Sequence, residues 1–243
     1  MESKSNSLEI GGLSVSVSKK EILKSISISI KKGERVVLLG PNGSGKSTLL
    51  KSIIGFDDAK LITGNIYVNG RDVSKLNMEE RIESGLSISY QNPPKIKGVK
   101  LIDLLNQITI NEQQIKDYSK KLKLTQHLNK EINVNFSGGE MKRSEVLQIL
   151  LQNKNLLLLD EVDAGLDIEN LKLIGQILEE YLSREKTALI VTHTGQILKY
   201  INANRFLLLL EGKLYEIPRN YPGKEILKNI AIKGYKKFVS SLK

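Results

Sequence analysis

Hydrophobic and polar positions alternate near the start of the chain. Leu13, Val15 and Val17 are separated by serines, and Ile26, Ile28 and Ile30 repeat the pattern. A period of two predicts strands with one face toward a core. Lys32-Gly33 is a turn signal, and Val36 to Leu39 then run without a polar break, as in a strand buried on both faces. Leu49, Leu50, Ile53 and Ile54 fall on one helical face, with Gly55 as the stop. Farther on, Ile66 to Val68 and Leu86 to Tyr90 read as short strands. Val99 to about Leu128 is polar and amphipathic and reads as helical, and Leu147, Leu150 and Leu151 share a helix face. Leu156 to Leu159 and Ala188 to Val191 are further buried strands, separated by a helix from about Ile168 to Leu182. Phe206 to Leu210 and Leu214 to Ile217 form a last strand pair around Glu211-Gly212, and a basic amphipathic helix follows Gly223.

Buried strands alternating with helices predict an α/β sheet covered on both faces. No buried strand is predicted between Asn92 and Gln152. The expectation is therefore one domain, with a catalytic core from 1–91 and 153–243 and a helical subdomain at 92–152.

Composition narrows the functional classes. The longest apolar runs are four or five residues, against the roughly 20 of a membrane-spanning helix. The polar stretch Met1 to Ser7 lacks the apolar segment of a signal peptide. A soluble, cytoplasmic protein without direct membrane insertion is expected. With no cysteine and two histidines, His127 and His193, the chain has no disulfides and offers a poor donor set for zinc or iron. Any thiolate ligands for iron–sulfur chemistry would come from a partner. The net charge of +10 is spread over scattered lysines, with a mild excess from Lys213 to Lys243 and no aromatic interleaving. This predicts a solvated basic surface or an acidic protein partner, and no nucleic acid.

The chemistry starts at Gly40-Pro41-Asn42-Gly43-Ser44-Gly45-Lys46-Ser47, which matches a phosphate-binding loop between a buried strand and a helix. The glycines let successive N–H groups turn inward around phosphate oxygens, and the helix N-terminus adds its partial positive charge. Lys46 is placed for the β- and γ-phosphates, the Ser47 hydroxyl for Mg²⁺ and Thr48 for the α-phosphate. The expected ligand is then a nucleotide with Mg²⁺, and the family resemblance described below implies that it is ATP.

The strand Leu156 to Leu159 ends in Asp160-Glu161. Two acids at a strand end are more often merely solvated, but a phosphate loop in the same chain favours a catalytic pair. Asp160 would face the metal, and Glu161, turned the other way, would face an attacking water as base. His193 and Gln91 each follow a strand, and ligands of α/β sheets gather at the carboxyl ends of strands.

Phe136-Ser137-Gly138-Gly139-Glu140 resembles the signature sequence of ABC ATPases and lies ahead of Asp160-Glu161 at the expected separation. The resemblance covers nearly the whole chain with the motifs in order. It implies a P-loop NTPase core with an antiparallel β subdomain and a helical insertion. It also implies an ATP-dependent head-to-tail homodimer, in which Ser137, Gly138, Gly139 and Glu140 cap the ATP held by the other copy. In the same pattern Gln91 looks like the glutamine that touches Mg²⁺ and the attacking water. Asp167, in Ala164-Gly165-Leu166-Asp167, looks like part of the loop crossing the dimer interface. His193 looks like the histidine that contacts the γ-phosphate. One departure is that the region around Val17 lacks the aromatic residue that often stacks on adenine.

Within the superfamily, Phe136 to Arg143 with Glu145, and Asp160 to Ile168, are similar to SufC-type ATPases of iron–sulfur cluster assembly. Asn92 to Val99 and Thr192 to Leu198 fit the same group, apart from Lys95 and Lys97 where that group has an acidic residue and a proline. This resemblance implies SufB- and SufD-like scaffold partners. The alternative is the nucleotide-binding subunit of a membrane transporter.

Overall fold

The computed structural model describes residues 6–90, 93–183 and 185–242. In chain order, β1 (Asn6–Val17), β2 (Lys20–Lys31) and β3 (Arg35–Leu39) lead into α1 (Lys46–Ile54). They are followed by β4 (Lys60–Val68), β5 (Arg71–Asp72), α2 (Met78–Glu83) and β6 (Leu86–Ser89). Next come β7 (Ile96–Lys100), α3 (Leu101–Ile108), α4 (Glu112–Lys121), β8 (Glu131–Ile132) and α5 (Gly138–Gln152). The last group is β9 (Leu156–Asp160), α6 (Ile168–Leu182), β10 (Thr187–Val191), β11 (Arg205–Leu210), β12 (Lys213–Glu216) and α7 (Gly223–Ser240).

β7 and β8 form a two-stranded sheet of their own, and two larger sheets organise most of the other elements. One has the order β12-β11-β3-β10-β9-β6, parallel except for the β11–β12 hairpin. The other is antiparallel, in the order β2-β1-β4-β5. The period-two segments thus became the antiparallel sheet and the unbroken apolar runs became the parallel one. Successive residues of those runs serve different cores. Val37, Leu39, Leu157, Leu159 and Ile190 pack with α5 and α6, while Val36, Leu38, Leu156, Leu158 and Leu189 pack with α1 and the antiparallel sheet. A strand covered on both faces has no place for a polar alternate.

Helix boundaries follow local chemistry. Gly55 ends α1 at φ 89°, its N–H bonded to Lys51 O at 2.9 Å. Ser137 and Asp167 cap α5 and α6 as N-cap residues. Two expectations need correction. The segment expected to be helical from Val99 opens instead with exposed β7, paired with β8, and its helices α3 and α4 are separated at Thr109–Asn111. Extended Lys100 is the residue from which α3 starts. The helix after Gly223 is interrupted at Gly234, whose φ of 73° and ψ of 161° lie outside helical space. Among the described residues, no helix is long and apolar enough to cross a membrane.

Candidate active site

The parallel strands β3, β10, β9 and β6 are neighbours, so their carboxyl ends deliver Gly40, Thr192, Asp160 and Tyr90 to one edge of the sheet. The loop after β3 is shaped by what surrounds it. A Cβ at Gly40 would stand 2.4 Å from Leu209 O, and one at Gly45 would stand 2.7 Å from Leu23 Cδ2, at a φ of 107°. Only glycine fits either position, and Gly45 is the N-cap of α1, whose first residue is Lys46.

Lys46 is buried, and its Nζ donates to Gly40 O at 2.8 Å and Pro41 O at 3.1 Å, curling the loop around its own lysine. Burial lowers its pKa, opposed by the nearby negative charges of Glu161 and Asp160. Around this loop lies a cleft of about 460 Å³ lined by Asn42, Gly43, Gly45, Lys46, Ser47, Thr48, Glu161 and His193, with Val17 and Ile22 as its apolar wall. The position that lacks a stacking aromatic is thus occupied by two aliphatic side chains.

Asp160 is 8% exposed, and its N–H donates to Ser89 Oγ at 2.8 Å, tying β9 to β6. Burial first, and then the adjacent Glu161, push its carboxyl up to about 6, while Lys142, Lys46 and a hydrogen bond from Ser47 pull it down. Its Oδ1 is buried without a hydrogen-bond partner among the described residues, as is Ser44 Oγ. A buried, partly unsatisfied carboxylate hydrogen-bonded to Ser47 is the oxygen donor set a hard cation favours, so the residues present fit Mg²⁺.

Glu161 breaks the strand by entering the left-handed region at φ 48°, with its N–H donating to Val191 O at 2.9 Å. Its Oε1 then lies 3.3 Å from His193 Nδ1. The loop carrying His193 is held from below by Asp163. The Asp163 Oδ2 accepts from Thr192 Oγ1 at 2.9 Å, Thr194 Oγ1 at 2.7 Å and the Ile197 N–H at 3.3 Å.

The structure therefore brings the run from Gly40 to Thr48 together with Asp160, Glu161 and His193. Gln91 lies outside the described residues. Ser137, Gly138, Gly139, Glu140 and Asp167 do not line this cleft. They sit at the N-termini of α5 and α6, where a Cβ on Gly139 would meet Asn170 Nδ2 at 2.4 Å. Asp163 lies inside the run Asp160 to Ile168, and the sequence assigns it no role. The signal for it was an acid inside an otherwise apolar loop, facing a Thr-His-Thr triplet. A second missed feature is the buried knot in which Lys142 donates to Tyr90 O at 2.6 Å and to Glu145 Oε2 at 3.2 Å, while the Tyr90 N–H donates to Glu145 Oε1.

A family model described as ABC transporter matches residues 23–164, from β2 through the acid pair. The chain belongs to the ABC transporter ATPase family. Over 244 residues this ABC ATPase is 34% identical to the probable ATP-dependent transporter ycf16 of Trieres chinensis, covering 94% of this chain and 96% of that one. It is 33% identical to the protein of the same name from Cyanophora paradoxa, covering 96% and 94%. A probable ABC transporter ATP-binding protein of Streptococcus pyogenes is 34% identical over 85% of this chain and 86% of its own. Among solved structures, the fold matches a nucleotide-free ATP-binding cassette from an ABC transporter with a TM-score of 0.78 at 23% identity, covering 96% of this chain and 98% of that one. It also matches a dimeric cassette in a post-hydrolysis state with ADP and phosphate, at a TM-score of 0.74 and 22% identity over 86% and 98%. The mixed α/β ABC fold and membership of an ATP-hydrolysing class are thereby established, and nucleotide binding with them.

Proposed function

We propose that this ABC ATPase hydrolyses Mg-ATP as half of a head-to-tail homodimer and uses the cycle to move a SufB/SufD-like scaffold in iron–sulfur cluster assembly. The observation that carries the dimer is the separation of two anion-receptive helix termini. The N-terminus of α1 opens on the cleft, whereas that of α5, with Ser137 and two glycines, is formed and capped away from it. One bound nucleotide occupies the first, so the second is available to a nucleotide held by another copy.

In this reading the residues from Gly40 to Ser44, with Gly45, cradle the phosphates. Lys46 exchanges its loop carbonyls for β- and γ-phosphate oxygens, and Thr48 reaches the α-phosphate. Val17 and Ile22 hold adenine by apolar contact. A bound Mg²⁺ would supply charge neutralisation at the phosphates. Ser47 and Asp160 would hold it, with Gln91. Glu161 orients the attacking water and accepts its proton, and His193 faces the γ-phosphate. Ser137, Gly138, Gly139, Glu140 and Asp167 act across the dimer interface. Division into a catalytic core at 1–91 and 153–243 and a helical subdomain at 92–152 gives closure a moving part.

The scaffold partner is supported by the runs Phe136 to Arg143 and Asp160 to Ile168, which are similar to those of SufC-type ATPases. The site of action is the cytoplasm. The relatives described as transporters favour a second reading, the nucleotide-binding subunit of a transporter. Affinity capture of the tagged chain from its native cell, with soluble and membrane fractions resolved separately, decides between them. A soluble cysteine-bearing scaffold supports cluster assembly. Recovery with a multi-span membrane protein overturns it.

A further inference from the structure

The N-terminus of α5 is built more firmly than its own cap requires. Ser137 and Glu140 form a reciprocal box, in which the Ser137 N–H donates to Glu140 Oε2 at 2.8 Å and the Glu140 N–H donates to Ser137 Oγ at 3.3 Å. That arrangement uses one carboxylate oxygen. The other, Oε1, lies 3.2 Å from Nε2 of His127, a residue ten positions before Ser137 in the chain.

His127 sits in a single 3-10 turn, Thr125–His127, that follows α4. It is 2% exposed, and its ring meets the Phe136 ring edge-on at a centroid distance of 4.7 Å. Nε2 faces a carboxylate and so carries the proton. Nδ1 is buried without a hydrogen-bond partner among the described residues, so protonating it would place an unmatched N–H⁺ in the interior. Burial lowers the His127 pKa, against the opposing pull of Glu140. Glu140 is held below the usual carboxylate range, first by the Ser137 N–H.

The surroundings make this link directional. Arg143, one turn along α5, donates to Leu122 O at 3.0 Å and Lys123 O at 3.3 Å, fastening the end of α4 to α5. On the other flank, Gly139 packs directly on Asn170, whose side chain and N–H both donate to Asp167 at 2.7 Å. The turn at Ser137 to Gly139 is therefore fixed from α6 by Asn170 and from the α4 side by His127.

We propose that His127 is a positioning residue for ATP-driven dimerisation. Its Nε2–H bond to Glu140 Oε1 holds the carboxylate that caps Ser137, and so sets the backbone N–H groups of the α5 terminus that receive the other copy's ATP. The inference rests on the head-to-tail reading above. It adds a residue that touches no nucleotide and that the nucleotide-binding motifs do not contain.

The test uses the full chain with Glu161→Gln to hold the ATP-bound dimer, and sedimentation velocity with Mg-ATP to read its dissociation constant. His127→Phe keeps a buried ring beside Phe136 but has no donor. His127→Gln places an amide N–H near the Nε2 position, and His127→Asn is too short to reach Glu140. Binding of a fluorescent ATP analogue to the monomer serves as control, because His127 does not line the cleft around Gly43 to Thr48. The Phe and Asn variants should weaken the dimer about tenfold or more, the Gln variant by less than about threefold, and monomer binding should not change. If the Phe variant does not fold, the contrast of Gln with Asn decides. Equal dimerisation by all variants overturns the proposal, and so does equal weakening by Phe, Asn and Gln, which would leave only packing. Failure of the Glu161→Gln parent itself to dimerise overturns the head-to-tail reading and this inference with it.

Discussion

Glu161 and His193 leave different strands, yet the Glu161 Oε1 and His193 Nδ1 atoms meet at 3.3 Å because Glu161 turns left-handed at the end of β9. The same turn bonds the Glu161 N–H to Val191 O, two residues before His193. Glu161 is buried and His193 partly exposed, so the acid points into the cleft from its wall while the histidine reaches in from the rim. A residue in this backbone conformation is costly unless its surroundings impose it, and here the β10 carbonyl does so.

Glu161→Gln should keep this geometry and remove the carboxylate proposed as base. Phosphate release should fall by roughly 10²- to 10⁴-fold while equilibrium ATP binding is retained. A variant that releases phosphate at the wild-type rate would show that the proton leaves by another route.

Asp163 links this pair to the loop beyond it. Asp163→Ala would leave the Thr192 and Thr194 hydroxyls and the Ile197 N–H without their acceptor, two of these groups in a buried setting. Melting should drop by several degrees, from a loss of about 2 kcal/mol. Because His193 would be misplaced rather than removed, turnover should fall at least about tenfold with ATP affinity little changed. Comparable losses in affinity and turnover would instead mean that the phosphate loop itself had been disturbed.

The legible parts of the sequence were those in which one physical requirement acts alone. Leu156 to Leu159 had to be a strand covered on both faces, and the glycines of the Gly40 to Ser47 motif are required by sterics alone, since a Cβ at Gly40 or Gly45 has nowhere to go. Val99 misled because its amphipathic pattern is shared by an exposed strand and a helix, and short segments do not distinguish them. Gly234 carried no periodic signal of an interruption in α7. Asp163, Glu145 and His127 were hidden for another reason. Each matters through a partner far along the chain, and a single sequence shows the partners without the distance between them.

Arg81 illustrates the same point in the core. Its guanidinium is 4% exposed and donates to four carbonyls, Ser52 O at 2.7 Å, Ile53 O at 3.1 Å, Ser74 O at 2.9 Å and Leu76 O at 2.8 Å. Two of these are last-turn carbonyls of α1, the helix that starts at the phosphate loop. Arg81→Met should cost about 3 kcal/mol, read as a melting temperature lower by roughly 6–12 °C. Arg81→Lys should recover little of it, because an ammonium cannot span four acceptors in a plane. Full recovery by lysine would mean that charge rather than the fork is what α1 requires.

Glu145 should give the protein a pH dependence of known sign. Burial pushes its carboxyl up to about 7, opposed chiefly by Lys142 and then by the Tyr90 N–H. The native value lies above the ordinary 4.5, so between those values the folded state binds more protons than the unfolded chain. Stability therefore falls as pH rises from about 4.5 to about 7 and levels off above that, by up to about 3 kcal/mol from this group. Glu145→Gln is neutral throughout and keeps an acceptor for the Tyr90 N–H. Plotted as a difference between wild type and variant, melting temperature should shift in the variant's favour across that window and stay constant on either side. A flat difference curve would show that Glu145 ionises in the fold near the ordinary 4.5, and that the knot beneath Tyr90 is an ion pair with Lys142 across this window rather than a protonated acid.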